Sequence, residues 1–321
     1  MWKFTIRRLL IAIPQMFLLS LLVFFMAKSM PGDALTGLIN NPDLPAEAVQ
    51  ELRVKLGLDN PWYVQYKDWI LGALQGDFGN SFTRKMPVTE LIGDRIWNTV
   101  WLSAMSTVLI YLMGIPLGIW SGKYHDTLRD RMITGYTYIG FATPLFIFAL
   151  LMLLVFGFML RWFPTGGSVA PGLEPGTWDY IVSKIYHLIL PSFSIALIGL
   201  TGTVQYLRSE IIDTKQKDFV RLARSKGVSE KRLYNNHIFR NSLMPIAALF
   251  GYEITLLISG SIFVESIFTY PGMGQLFVQS ITTRDFSVVT ALVLISGFAF
   301  IIGGLLSDII MSIVDPRIRI K

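Results

Sequence analysis

The chain has no cysteine, which excludes disulfides, thiolate metal sites and a thiol nucleophile. Histidine is nearly as scarce. His125, His187 and His237 stand far apart with no metal-ligand spacing between them. There is no His-Glu-x-x-His, no Gly-x-Ser-x-Gly and no phosphate-cradling Walker A loop, and Gly272-Met273-Gly274 follows an apolar run rather than a strand. Charge is also thin, at 16% of 321 residues. An intramembrane hydrolase needs paired catalytic groups at one depth, and Glu253, Glu265 and Asp308 fall at different depths in their apolar runs. The chain reads as one that performs no covalent chemistry and holds no cofactor or metal of its own.

What it has in abundance is apolar length. Hydrophobic residues make up 52%, mean hydropathy is +0.51, and several runs reach the roughly 20 residues that cross a bilayer as helix. The pattern predicts an all-α polytopic membrane protein with six spans: Leu9–Met30, Thr99–Ser121, Ile133–Leu160, Leu188–Leu207, Ser242–Phe268 and Phe286–Val314. The first run follows Lys3, Arg7 and Arg8 but is longer than a signal-peptide core and lacks a small-residue cleavage site, so it reads as an uncleaved anchor.

The net charge of +6 could suggest nucleic acid, but its distribution speaks for membrane orientation. Most of the 28 Lys and Arg fall in four segments: before the first span, around Lys123–Arg131, between Arg208 and Arg240, and at Arg317–Lys321. By the positive-inside rule these face the cytoplasm, together with both termini. Residues 1–30 form the N-terminal membrane helix, 31–97 the long outer segment, 98–314 the membrane core with its loop at 213–242, and 315–321 a cytoplasmic tail. In the outer segment Pro45 opens one helix that Gly57 ends. Asn60-Pro61 begins a second with a Trp62, Tyr66, Trp69, Ala73 stripe, and a third starts at Pro87 and runs into span two. These predict a helical cap on the outer face; an interfacial aromatic anchor accounts equally well for the tryptophans.

The polar stretch from Asp213 to Ser242 is the most basic part of the chain. Phe219, Val220, Leu222 and Ala223 give an apolar side, and Lys215, Lys217, Arg221 and Arg224 give charge. Gly227 can take positive φ at a helix end, with Lys226 suited to the dipole there, and Ser229 can cap the next helix toward His237 and Arg240. The pattern is a glycine-hinged elbow, a docking surface for a cytoplasmic partner. A solvated positive-inside loop explains the charge but not the paired helices.

Arg221-Leu222-Ala223-Arg224-Ser225-Lys226-Gly227, then nine residues, then His237-Ile238-Phe239-Arg240-Asn241-Ser242-Leu243-Met244-Pro245 resembles the EAA loop of ABC importer permeases. More narrowly it resembles the oligopeptide and dipeptide branch. Pro31-Gly32-Asp33, Gln75 to Ser81 (QGDFGNS), Phe163 to Gly167 (FPTGG), Glu265 to Gly274 (ESIFTYPGMG) and Val314 to Arg319 agree, so the likeness covers nearly the whole chain and points to the B-type subunit. The acidic residue that opens the loop in many such permeases is absent, as it commonly is in the peptide branch.

The resemblance implies a type I (MetI-like) permease fold and pairing with a second, homologous permease. It also implies two cytoplasmic ATPases that bind ATP and an extracytoplasmic peptide-binding protein. Arg221, Ala223, Arg224, Lys226, Gly227, Val228, Leu233, His237, Arg240 and Asn241 would couple to an ATPase, with Val228 and Leu233 filling its pocket. Nickel, glutathione and some sugar importers share this permease type.

Inside the spans, Glu253 would cost at least about 2.5 kcal/mol facing lipid, so it should face the bundle interior or the partner permease, as part of the translocation path or a structural hydrogen bond. Ser259 and Gly260 are expected on that path. So is Glu265, nearer the outer face, where the resemblance favours a structural or gating role. Gly114-Ile115-Pro116-Leu117-Gly118 predicts close helix packing. Asp308 is expected to reach water or Arg317. Two rival classes are a membrane-embedded hydrolase and a receptor whose basic elbow recruits something other than an ATPase.

Overall fold

A computed structural model describes residues 2–29, 50–51, 54, 57, 59–243 and 261–314. The elements are α1 (Trp2–Ser29), α2 (Trp62–Leu74), α3 (Val88–Lys123), α4 (Leu128–Ala142) and α5 (Leu145–Met152), which widens into a π-helical turn at Leu153–Met159. Next come α6 (Trp178–Gln216), α7 (Asp218–Ser225) and α8 (Glu230–Arg232), which continues as a second π-helical turn at Leu233–Phe239. They are followed by α9 (Arg240–Ser242), α10 (Ile262–Ile267), α11 (Met273–Thr282) and α12 (Phe286–Val314). Among the described residues the only strand-like pairing is an isolated bridge between Asn80 and Pro87.

Among the described residues four helices, α1, α3, α6 and α12, are long and apolar enough to cross a membrane, and the α4–α5 pair makes a fifth if counted as one span. Most of the expected fifth span, Ser242–Phe268, lies outside the described residues, with Glu253, Ser259 and Gly260 in it. The third span, expected as one run from Ile133 to Leu160, is broken: α4 and α5 meet at an angle of 103°. Pro144 causes the break. It has no N–H to donate, and its ring drives Thr143 out of the helical region to φ −96°, ψ 115°.

The parallel pair α3 and α6 is the spine. Gly114, Gly118 and Gly122 repeat every four residues along α3 and face α6. A Cβ on Gly118 would stand 2.9 Å from Leu207 Cβ, and one on Gly122 would stand 2.8 Å from Ile211 Cβ. Without side chains the two backbones approach closely, which is the main source of packing where lipid removes the hydrophobic drive. The small-residue repeat read from Gly114 and Gly118 thus holds and extends one turn further.

Helix α1 packs antiparallel on α12, with Leu19 against Gly297. Near their ends Arg8 Nη1 lies 2.7 Å from Asp308 Oδ2. Asp308 therefore pairs with the first helix; Arg317 falls outside the described residues. The aromatic stripe of α2 docks on α1: Tyr66 meets Phe17 and Phe24 edge-on, Trp69 lies against Phe24, and the Tyr66 hydroxyl is 2.7 Å from Ser20 Oγ. These rings serve as a helix–helix contact, while Trp62 and Tyr63 stay exposed. Of the expected helix from Pro45 to Gly57, most residues lie outside the described set.

At one end of the bundle Val88, Leu91 and Ile92 of α3 pack with Met273 and Leu276 of α11 and Val288 and Leu292 of α12. The elbow sits at the other end, where α3 and α6 finish.

Candidate functional site

The elbow is built by a complete helix-ending motif. Gly227 N–H donates to Arg224 O (3.0 Å) and Val228 N–H to Ala223 O (3.2 Å), with Gly227 at φ +77°. These paired bonds form a Schellman turn, and its usual apolar contact is present, since Ala223 and Val228 both pack on the cluster beneath. A non-glycine residue at this φ is strained. Arg224 then reaches across the hinge to Glu230, with Nε to Oε1 at 2.8 Å and Nη2 to Oε2 at 3.4 Å. Glu230 beside it holds the Arg224 guanidinium above its usual pKa. Ser229 does occupy the cap position before α8, but its hydroxyl makes no capping bond.

The widened turn after α8 decides which way the elbow faces. In an α-helix, residues five apart diverge by about 140°; the i→i+5 spacing of a π-turn brings them to one side. Leu233 and Ile238 are five apart, and both are fully buried with Val220 against Leu207 and Ile211 of α6. Leu233 is thus an anchor inside this chain, which corrects the expectation that it fills a partner's pocket. Val228 is half-buried in the same cluster. Asn241 donates through Nδ2 to His237 O (2.7 Å), and Ser242 Oγ donates to Glu210 O (3.1 Å), so the elbow's second arm is fastened to α6.

What remains outward is Arg221, Arg224, Lys226, Gly227 and Arg240, with Ala223, His237 and Asn241 half-buried. Among them stand Leu222 and Phe219, 57% and 39% exposed. The sequence placed both on the packed side with Val220. An eight-residue helix can bury only one narrow stripe, and Val220 with Ala223 takes it.

Two networks escaped the sequence reading. Asp130, 2% exposed, receives a forked bond from Arg208 (Nε to Oδ1 2.7 Å, Nη2 to Oδ2 2.8 Å), plus bonds from Ser121 Oγ and the Asp126 N–H. It ties α3, α4 and α6 together beside the elbow. His125, Asp126 and Asp130 lie close enough to resemble a metal cluster, but these bonds already occupy both Asp130 oxygens. The signal in the sequence was one acid between Arg129 and Arg131.

The second network is at the opposite end. Glu265, fully buried, accepts from Thr99 Oγ1 through Oε1 (3.0 Å) and from the N–H groups of Gly274 and Gln275 through Oε2 (2.7 and 3.0 Å). Thr99 Oγ1 in turn accepts from Met273 N–H at 2.7 Å. The carboxylate is the N-terminal cap of α11, where free N–H groups and the helix dipole favour an anion. A Cβ on Gly272 would stand 2.5 Å from Glu265 Oε2, so this glycine makes room for the carboxylate. Among the described residues Glu265 faces no open path, and these bonds give it a structural part, one of the two roles that the resemblance favours.

The other motifs meet here too. Gly167 N–H donates to Phe268 O (3.2 Å), and Ser81 Oγ donates to Asp285, which also accepts from Thr83 N–H at 3.2 Å. The QGDFGNS, FPTGG and ESIFTYPGMG segments, distant in sequence, build one closed end.

Residues 114–320 match the family described as "Binding-protein-dependent transport system inner membrane component", and residues 1–103 match the corresponding N-terminal family of such membrane components. The chain belongs to this family. It is a multi-pass membrane component of a binding-protein-dependent transport system. One relative of this transport component, the oligopeptide transport system permease protein AppB of Bacillus subtilis, is 41% identical over 99% of this chain and 100% of its own length. A putative peptide permease of Brucella ovis is 35% identical over 100% of both chains. The glutathione transport system permease protein GsiC of Escherichia coli K12 is 34% identical over 100% of both. A solved structure titled "Inward facing conformations of the MetNI methionine ABC transporter" aligns with TM-score 0.55 at 11% identity, covering 70% of this chain and 96% of that chain. That likeness establishes the fold of the transport component, a type I permease fold.

Proposed function

We propose that this chain is one permease subunit of an ATP-driven importer of peptides. It lines the translocation path with a second, homologous permease and receives its substrate from an extracytoplasmic binding protein. Two cytoplasmic ATPases bind and hydrolyse ATP, and the elbow carries their movement into the spans. Both termini and the elbow face the cytoplasm in this reading, which the clustering of Lys and Arg supports.

The observation that carries the reading is the elbow's construction as a stiff lever. Val220, Leu233 and Ile238 root it in α6, the Schellman turn fixes its angle, and the Arg224–Glu230 fork braces its two arms. Its outer face of Arg221, Leu222, Lys226 and Arg240 is left exposed. Transmitting force needs a rigid arm with an unoccupied contact face, and a solvated loop needs neither. Peptide as cargo is supported by the names of the full-length relatives, and glutathione, itself a small peptide, falls within the same chemistry.

The test is Gly227→Pro in the assembled transporter. Proline cannot adopt φ +77°, so the arms should splay without disturbing the spans. The expected result is normal membrane insertion with uptake of labelled peptides reduced at least about tenfold and ATP hydrolysis no longer stimulated by binding protein. Uptake at the wild-type rate would remove the lever reading. Graded peptides and glutathione, offered to cells lacking the chain and then complemented with it, decide the cargo.

A further inference from the structure

We propose that the cleft between the end of α3 and the elbow binds the phosphate of an anionic phospholipid from the leaflet on that side of the membrane. The open cleft, of about 620 Å³, is lined by Lys123, Glu230, Lys231, Tyr234 and Asn235. Lys123 Nζ lies 5.2 Å from the Tyr234 ring centre and 5.3 Å from that of Tyr124. Lys215 Nζ lies 5.9 Å from Tyr234, and Arg129 stands 5.3 Å from Tyr124 on the neighbouring turn.

The charge here is not balanced from within. Among the described residues Glu230 is the one acid lining the cleft, and Arg224 already holds both its oxygens. Among the described residues no carboxylate forms an ion pair with Lys123, Lys215 or Lys231. Lys215 donates to the carbonyls of Gly122 and Lys123, both at 3.2 Å, so it caps α3 and retains a third N–H. Ammonium groups gathered around one tyrosine repel one another, and an anion between them would convert that repulsion into attraction.

Position selects a lipid rather than a soluble anion. Trp120, one turn before Lys123 on the same helix face, is 59% exposed, and Leu128 and Met132 at the start of α4 are 73% and 68% exposed. A surface that is cationic and aromatic at one level and apolar immediately beside it matches the boundary between headgroups and acyl chains. Basic pockets between spans at the inner face are suited to phospholipid headgroups.

The experiment is native mass spectrometry of the full chain purified in mild detergent, titrated with phosphatidylglycerol or phosphatidylcholine. Selective retention of phosphatidylglycerol is expected, about 30-fold weaker in the Lys123→Gln/Lys231→Gln double variant and restored by Lys123→Arg/Lys231→Arg. Lys215 is left intact because it caps α3, and Lys184→Gln, at the opposite end of α6, should retain the lipid. Equal retention of both lipids, or of phosphatidylglycerol by wild type and the Gln variant alike, would overturn the site. Displacement of bound lipid by millimolar inorganic phosphate would overturn the lipid as its occupant. None of these readouts depends on transport, so the site stands or falls apart from the permease reading.

Discussion

The two ends of the bundle treat their polar residues in opposite ways. At the closed end Glu265 is wholly buried, and its neighbours supply the hydrogen bonds its two oxygens need. At the elbow, Arg221, Lys226 and Arg240 lie open, and the apolar Leu222 stands among them. A motif whose residues satisfy one another explains itself as architecture. A motif whose backbone is fastened from within while its side chains face outward is explained only by something that arrives from outside.

The contrast breaks first at Glu265. Glu265→Ala strands three buried donors, each worth about 1–3 kcal/mol when left unpaired. Partial rehydration of the vacated space should bring the loss to about 3 kcal/mol. The melting temperature of the purified chain is the measure, and an unchanged value would show that the closed end is not held by this cap. Next in size is Asp130→Ala, which leaves Arg208 without its forked partner. Arg208 is 21% exposed and can turn toward water, so about 2 kcal/mol is expected rather than the full cost of a broken buried pair. Comparable in size, Gly118→Val forces a side chain into the α3–α6 seam 2.9 Å from Leu207 Cβ. Overpacking of that kind costs about 1–3 kcal/mol, and a loss well below this range would mean that the two helices slide apart freely.

The features legible in the sequence were those that depend on local pattern. Apolar length marked the spans that the described residues show as α1, α3, α6 and α12, and the glycine repeat in α3 marked a packing face. Gly227 announced a left-handed turn because no other residue suits one so well. What stayed hidden depended on a partner far along the chain. Nothing near Asp130 says that Arg208 will answer it from another helix. Glu265 reads as an unpaired acid in a span until α11 is seen to begin beside it. The Thr143-Pro144 break went unread, since proline in a span can be tolerated or can split it, and the outcome rests on what α4 and α5 pack against. Leu233 was misread for a related reason: an α-helical spacing cannot put it inward together with Ile238, and nothing in the local pattern announces a π-turn.

The smallest structural effect should accompany one of the largest functional ones. Leu222 is more than half exposed and is not a member of the buried cluster under the elbow. Leu222→Ser should therefore shift stability by no more than about 0.5 kcal/mol, as for most surface changes. If the outward face is a docking surface, this exposed leucine ringed by cations has the makeup of a contact centre, with apolar area to bury and charge around it to steer the approach. Co-purification of the proposed ATPases with the variant should then weaken while its melting temperature stays put. Loss of both together would place Leu222 with Val220 as part of the root. Loss of neither would leave the elbow's open face without a partner, and the difference between the two ends would reduce to one of solvent exposure.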